Sequence, residues 1–276
     1  MMKSKEDKMI TDISVRDLLP FLAMTFLIAW GILALYISAP APTIRVFGEL
    51  TGNHPLFYLA VYAPAIAALV MILYRQGIGG IRRFLSQLLV WRLSLGWTGF
   101  LILVVPLPFF LGAAVQGRLG AWGMDAPGSL LLAMFLMLIK GPVEEIGWRG
   151  FAQPLLQRRM CPLATALVLG VIWGVWHYPA FLLSGTPQSA WSFGAFFVGT
   201  IALSVIVTAL FNSSKGSLLI PVVFHFQMIN PLWPDGQPTD TLFFVLLAVV
   251  VTAIKWKAMV TREQAVTAVL PEEMRK

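Results

Sequence analysis

"SLLLAMFLMLIKGPVEEIGWRGF", residues 129–151, opens as an uncharged apolar run and then places Lys140, Glu144, Glu145 and Arg149 within ten residues. A charged side chain at mid-bilayer costs about 2.5 to 3.5 kcal/mol on insertion scales. The stretch therefore belongs to a membrane segment that carries charge for a reason. Working outward, the 276 residues are 58% hydrophobic and 12% charged, with mean hydropathy +0.79. A soluble domain has about 25% charged residues. The composition excludes a soluble enzyme with one anchor and predicts an integral membrane protein. Apolar runs without alternation predict helices rather than an outer-membrane barrel. The fold class expected is all-α, a polytopic transmembrane bundle.

Eight apolar segments can be drawn, at 18–38, 55–74, 97–117, 129–157, 163–183, 193–211, 217–233 and 241–256. Most are long enough to cross a core of about 30 Å at 1.5 Å per residue. The fourth carries the charged cluster in its second half and is expected to kink near Gly141-Pro142 or to extend past the bilayer. The first is about 20 residues, longer than the 7 to 15 of a signal peptide's apolar region, and reads as a retained span. With the N-terminus inside, 17 of the 20 basic residues fall on the cytoplasmic side. Arg45 and Arg118 fall opposite and Lys140 within a span, so the positive-inside rule predicts both termini in the cytoplasm. A cell-membrane protein, of bacterial character, is expected. Residues 1–17 and 257–276 read as cytoplasmic tails around a membrane domain at 18–256. Between the second and third segments, Ile78, Ile81, Phe84, Leu85, Leu88 and Leu89 recur at helical spacing among Arg82, Arg83, Ser86 and Gln87. This predicts one interfacial amphipathic helix within 75–96.

Residues four apart share a helical face, which pairs Glu145 with Arg149 and Lys140 with Glu144. Neighbouring Glu144 and Glu145 point about 100° apart. Two ion pairs fastening helices together are one use of these residues; a working carboxylate beside a structural pair is the other. The histidines bear on the choice. His54 falls in a polar loop and reads as surface. His177 in "VIWGVWHYPAF" and His225 in "LLIPVVFHFQMIN" lie inside apolar runs on different segments. Glu144, His177 and His225 lie 13, about 15 and about nine residues from the cytoplasmic ends of their segments. Those counts put them at depths of roughly 20, 22 and 14 Å, close enough to converge on one wet cavity, expected to open toward the cytoplasm. A glutamate that takes a proton from water and returns it to a leaving amine, with histidines that orient water, donate to an oxyanion or bind Zn²⁺, suits hydrolysis. No HExxH or GxSxG occurs, and Cys161, near a segment edge, is a poor nucleophile candidate.

Together these residues resemble the CPBP family of intramembrane proteases, which includes the type II CAAX prenyl endopeptidases and bacterial Abi proteins linked to bacteriocin self-immunity. EExxxR appears as Glu144-Glu145-Ile-Gly-Trp-Arg149, an aromatic-xxxH motif as Trp173-Gly-Val-Trp-His177, and the third motif as "NSSKGSLLIPVVFHFQMIN" with His225. The resemblance covers residues 129–235. It implies an intramembrane endopeptidase, metalloprotease-like, in which Glu144 activates water with His177. His225 and a nearby asparagine would stabilise the oxyanion, and Glu145 and Arg149 would support them. The family's third motif often has asparagine four residues after the histidine; here Ile229 stands there and Asn230 follows. A helix end before Pro231 would bring Asn230 round. Glu144, His177 and His225 would also suffice as Zn²⁺ ligands, although a ligating Glu144 cannot be the base. Lys140 paired with Glu144 would blunt that base. The partner expected is a membrane protein or a lipid-linked or hydrophobic peptide in the bilayer, not nucleic acid. A catalytically weak interaction protein for bacteriocin immunity or regulation of a membrane partner is the alternative. A proton-coupled transporter would call for repeated halves, which the sequence lacks.

Overall fold

The computed structural model describes residues 12–119 and 127–271. Among the described residues the structure is helical, without strands. In chain order the helices are α1 (Leu18–Ser38), α2 (Pro40–Phe47), α3 (Pro55–Val61), α4 (Ala63–Leu85), α5 (Leu95–Gly99), α6 (Leu107–Val115), α7 (Pro127–Lys140), α8 (Glu144–Gly147), α9 (Gln153–Gln157), α10 (Pro162–His177), α11 (Phe193–Ser213), α12 (Leu219–Met228), α13 (Asp240–Ile254) and α14 (Trp256–Val260). Single π-helical stretches join α5 toward α6 (Phe100–Val104) and α8 to α9 (Trp148–Ala152).

Among the described residues five helical stretches are long and apolar enough to cross a membrane: Val15–Ser38, Ala63–Leu89, Leu95–Val115, Pro162–Leu182 and Phe193–Ser213. The helices α12 and α13 are apolar but shorter, and the 129–157 segment is divided at Gly141. The molecule is a helical membrane bundle. On α1, Phe21, Thr25, Ala29, Leu33 and Tyr36 are buried while Leu19, Leu27 and Leu35 face outward, the stripe pattern of a helix with one face on protein and one on lipid. Of the long apolar helices the most enclosed is α11, packed between α10 and α13. Gly170 and Gly174 of α10 admit it: a Cβ at Gly170 would stand 2.8 Å from the Ile201 Cα, and one at Gly174 2.6 Å from Phe197 Cδ2. The contact is one of small residues one turn apart, which lets backbones approach where lipid offers no hydrophobic driving force.

The amphipathic segment is shorter than expected. The chain turns at Gly77 (φ +65°), runs helically to Leu85, makes a 3₁₀ turn over Ser86–Leu89 and is extended at Val90. Phe84 is fully buried, with Ile81, Leu85 and Leu88 packed around the same core, so most of the apolar face caps this bundle instead of lying in lipid. The segment after α14 is docked too. Gln157 Nε2 donates to the Val266 carbonyl at 2.7 Å, Arg158 Nε to that of Thr267 at 2.8 Å, and the Val266 N–H to Asn212 Oδ1 at 3.1 Å. Val269 is buried in the core. Residues 262–271 thus form a strap over the end of the bundle that also carries Arg82, Arg83, Arg158 and Lys215. The parts of the expected tails at 1–11 and 272–276 lie outside the described residues.

Candidate active site

The site begins with a broken helix. Proline 142 lacks an N–H and its ring opposes the carbonyl four residues back, so α7 stops at Lys140. A 3₁₀ turn spans Gly141–Val143, and helix resumes at Glu144. The Tyr62 hydroxyl, just ahead of α4, donates to the Ile139 carbonyl at 2.5 Å and so satisfies an acceptor near the break. Glu144 and Glu145 fall in the first turn of the resumed helix, where the exposed N–H ends of the backbone favour negative charge.

Their side chains separate as the 100° rotation predicts. Glu145 turns inward: its Oε1 lies 2.7 Å from His225 Nδ1 and its Oε2 3.2 Å from Arg149 Nε, with Glu145 and Arg149 fully enclosed. Arg149 is therefore part of the interior and not a topological charge of the cytoplasmic face. Its guanidinium stacks 5.2 Å from the Trp173 ring centre. Glu144 faces a cavity of about 490 Å³ and accepts a hydrogen bond from Trp173 Nε1 at 2.8 Å.

The histidines arrive from the ends of two helices. His177 is the last residue of α10, and its Nδ1 lies 2.8 Å from the Trp173 carbonyl. A carbonyl only accepts, so Nδ1 carries the proton and Nε2 is left as the free ring nitrogen. Packing by Trp176 (ring centres 4.7 Å) and Phe196 (4.9 Å) fixes the ring. On α12, His225 donates through Nδ1 to Glu145 by the same reasoning. Its Nε2 points at Gly141, where a Cβ would stand 2.7 Å away. Glycine is required there for α12 to approach the break.

Glu144, His177, His225 and Asn230 all line the one cavity. Asn230 does so because α12 ends at Met228 and Ile229 leaves helical geometry (φ −122°, ψ 15°), which cancels the rotation of a one-residue offset. The Asn230 amide donates to Gln227 Oε1 at 3.2 Å, leaving its second N–H uncommitted. Sequence reasoning did not find the part played by Trp173, whose ring contacts both histidines (centres 5.7 and 5.6 Å) while its N–H holds Glu144. It named Gly141 as part of a kink, but not as the point that His225 approaches. Tryptophan in an apolar run carries no signal of what its N–H will meet. His54 caps α3, accepting from the Leu56 N–H at 3.1 Å through Nδ1.

Three expectations change. Lys140 does not pair with Glu144: the break at 140–143 takes it off that face, and its Nζ lies over the rings of Phe57 (5.3 Å) and Tyr58 (5.5 Å). The three candidate zinc ligands do not form a ligand set. Among the described residues no three His, Cys, Asp or Glu side chains gather closely enough to hold one ion. The cavity, finally, opens at the end of the bundle opposite the basic residues. Its rim is Pro187, Gln188, Trp191 and Pro234–Gln237, in the loops after α10 and α12. Both histidines lie near the C-terminal ends of helices that start at the basic end, so their depth brings them out on the far side.

A polytopic helical membrane protein with a carboxylate and two histidines lining one cavity is the class that fold and site define. Comparison with known sequences shows what the chain is similar to. Residues 126–229, which include Glu144, Glu145, Arg149, His177 and His225 but stop one short of Asn230, match the family model described as type II CAAX prenyl endopeptidase Rce1-like. The chain is 25% identical over 163 residues to a CAAX prenyl protease 2 of Methanococcus maripaludis, covering 54% of this chain and 59% of that one. It is 24% identical over 237 residues to the lysostaphin resistance protein A of Staphylococcus epidermidis, covering 78% and 60%. It is 25% identical over 221 residues to a Staphylococcus aureus protein of the same name, covering 76% and 51%. The chain thus spans between 51% and 60% of the length of these relatives. The resemblance carried by the EExxxR, WxxxH and His225 motifs is borne out.

Proposed function

We propose that this chain is an intramembrane endopeptidase that hydrolyses a peptide bond of a membrane protein or a hydrophobic, lipid-linked peptide. The observation that carries the reading is the shared cavity: Glu144, held by Trp173, faces the same space as His177, His225 and Asn230. Glu144 takes a proton from a water that His177 orients through its free Nε2. The hydroxide adds to the scissile carbonyl. His225, charge-compensated by Glu145 at Nδ1, donates through Nε2 to the oxyanion, joined by the spare Asn230 N–H. Glu144 then returns its proton to the leaving amine as the C–N bond breaks. The similarity to proteins named as CAAX prenyl proteases supports a peptide bond as the target. The positive-inside asymmetry supports a reading with both termini in the cytoplasm and the cavity opening on the opposite face.

The test is cleavage in membranes. Substrate trapped by Glu144→Gln and identified by mass spectrometry is incubated with wild type and variants in vesicles. Loss of about 10²- to 10⁴-fold in rate is expected for Glu144→Gln and for His177→Ala, the range for removing a positioned acid–base group. Undiminished cleavage in Glu144→Gln refutes the mechanism. A second reading, a catalytically weak immunity or regulatory protein, draws on the similarity to proteins named for lysostaphin resistance. Under that reading a resistance phenotype survives Glu144→Gln.

A further inference from the structure

Lys140 is left without a role by the ion pair that does not form. It is 7% exposed, and no carboxylate lies within ion-pair distance of it among the described residues. A buried ammonium without a partner is costly, and the two aromatic faces over which it sits recover only about 0.5 to 2 kcal/mol. Ring faces leave most of its three N–H donors uncommitted. The residue lines the catalytic cavity, and its neighbours there sharpen the contrast. Besides the two histidines, the ionisable lining groups are Glu144, Asp235 and Asp240, all acidic, and Lys140, the sole cation among the described lining residues. Where Nζ meets the rim, Gly52 stands opposite: a Cβ there would be 3.4 Å from Nζ and 3.0 Å from Pro187 Cδ. A bare backbone at 52 keeps open the space in front of the ammonium.

We propose that Lys140, walled by Phe57, Tyr58, Gly52 and Pro187, is an anion subsite of the cavity that holds a carboxylate of the bound peptide. Resting on the endopeptidase reading, the proposal concerns how the peptide is held and not whether it is cut. Lys140 and Glu144 line the same cavity, so a carboxylate held at Lys140 fixes the peptide's register against Glu144. The shared chemistry is a carboxylate, supplied by the peptide's C-terminus or by an acidic side chain. A cationic or uncapped amino end is disfavoured at this wall and tolerated at that of Asp235 and Asp240.

Binding tests this apart from turnover. Three N-palmitoylated tetrapeptides of Ala, Val and Leu are titrated by fluorescence anisotropy against Glu144→Gln protein in detergent. The first ends in a free carboxylate, the second in a carboxamide, and the third in a carboxamide with glutamate at the penultimate position. The free acid is expected to bind about 10- to 100-fold more tightly than the amide, the range for a hydrogen bond to a charged group. Lys140→Met abolishes that difference without changing the amide's affinity, and Lys140→Arg restores part of it. Matching affinity of the glutamate peptide and the free acid supports the subsite and assigns it to a side-chain carboxylate. Preference for the amide-ended peptide over both assigns nothing to Lys140 and overturns the proposal. So do equal affinities of acid and amide, a preference that survives Lys140→Met, or no saturable binding of any peptide. Failure of wild type to cleave any peptide while the carboxylate preference holds would refute the endopeptidase reading and leave the subsite standing.

Discussion

Glu144 and Glu145 are adjacent and chemically identical, yet their surroundings set them to different work. Glu145 compensates Arg149 and His225 at once, so its loss leaves a fully buried guanidinium with no counter-charge. Removing one partner of a buried pair costs about 3 to 5 kcal/mol. Glu145→Ala is therefore expected to lower the thermal unfolding midpoint in detergent sharply, whereas Glu144→Gln, which keeps an acceptor for Trp173 Nε1, leaves it nearly unchanged. Similar midpoints for the two variants would show that the division of roles is wrong. This division was legible from 100° per residue. Lys140 was misread, because the i,i+4 rule holds only along an unbroken helix and the kink expected at Gly141-Pro142 falls between the two residues it paired. Trp173 was visible as a motif position, but its bond to Glu144 depends on how α10 packs on α8, which no local pattern encodes.

At the scale of elements, the break at Gly141–Val143 decides what the charged segment can do. It redirects Lys140 toward α3, starts a helix at the carboxylates and lets His225 approach an absent side chain. Pro142→Ala permits the helix to run through. Lys140 and Glu144 would then share a face, and Glu144 would shift from the cavity. Peptide cleavage is expected to fall about 10²-fold, the penalty of misplacing a catalytic group by about an ångström, while thermal stability holds or rises. Retained cleavage with a straight helix would show that the break is dispensable. Long apolar runs were readable from length alone: 18–38 returns as α1 and 193–211 as most of α11. The 217–233 run was over-read because apolar Ile229, Leu232 and Trp233 continue past the helix, whereas Asn230-Pro231 disfavours continuing it. That early end is also what brings Asn230 to the cavity.

Across the whole molecule the two ends of the bundle differ in kind. One end holds the cavity and its loops. The other holds the basic residues, the turn after Gly77 and the strap at 262–271, bound by Gln157, Arg158, Asn212 and Gln87. The strap buries Val269 and answers polar groups on three elements, so truncation after Thr261 is expected to lower the unfolding midpoint by several degrees in detergent while peptide binding in the distant cavity persists. An unchanged midpoint would mean the strap is ornamental to the fold. The charge asymmetry of the ends was plain in the sequence. Which end the cavity faces was not, since equal depths from one side say nothing of where the surrounding helices stop.

The Arg158 guanidinium ties the strap to the start of the described chain: Nη1 donates to the Ile13 carbonyl at 2.5 Å and Nε to the Thr267 carbonyl at 2.8 Å. One side chain touching both segments places them side by side. A short linker joining them, with the chain reopened at the 214–217 turn, is expected to give a circular permutant that still folds, read from its unfolding midpoint in detergent. A permutant that folds would show that the order in which the helices of this bundle enter the membrane is separable from the structure they reach.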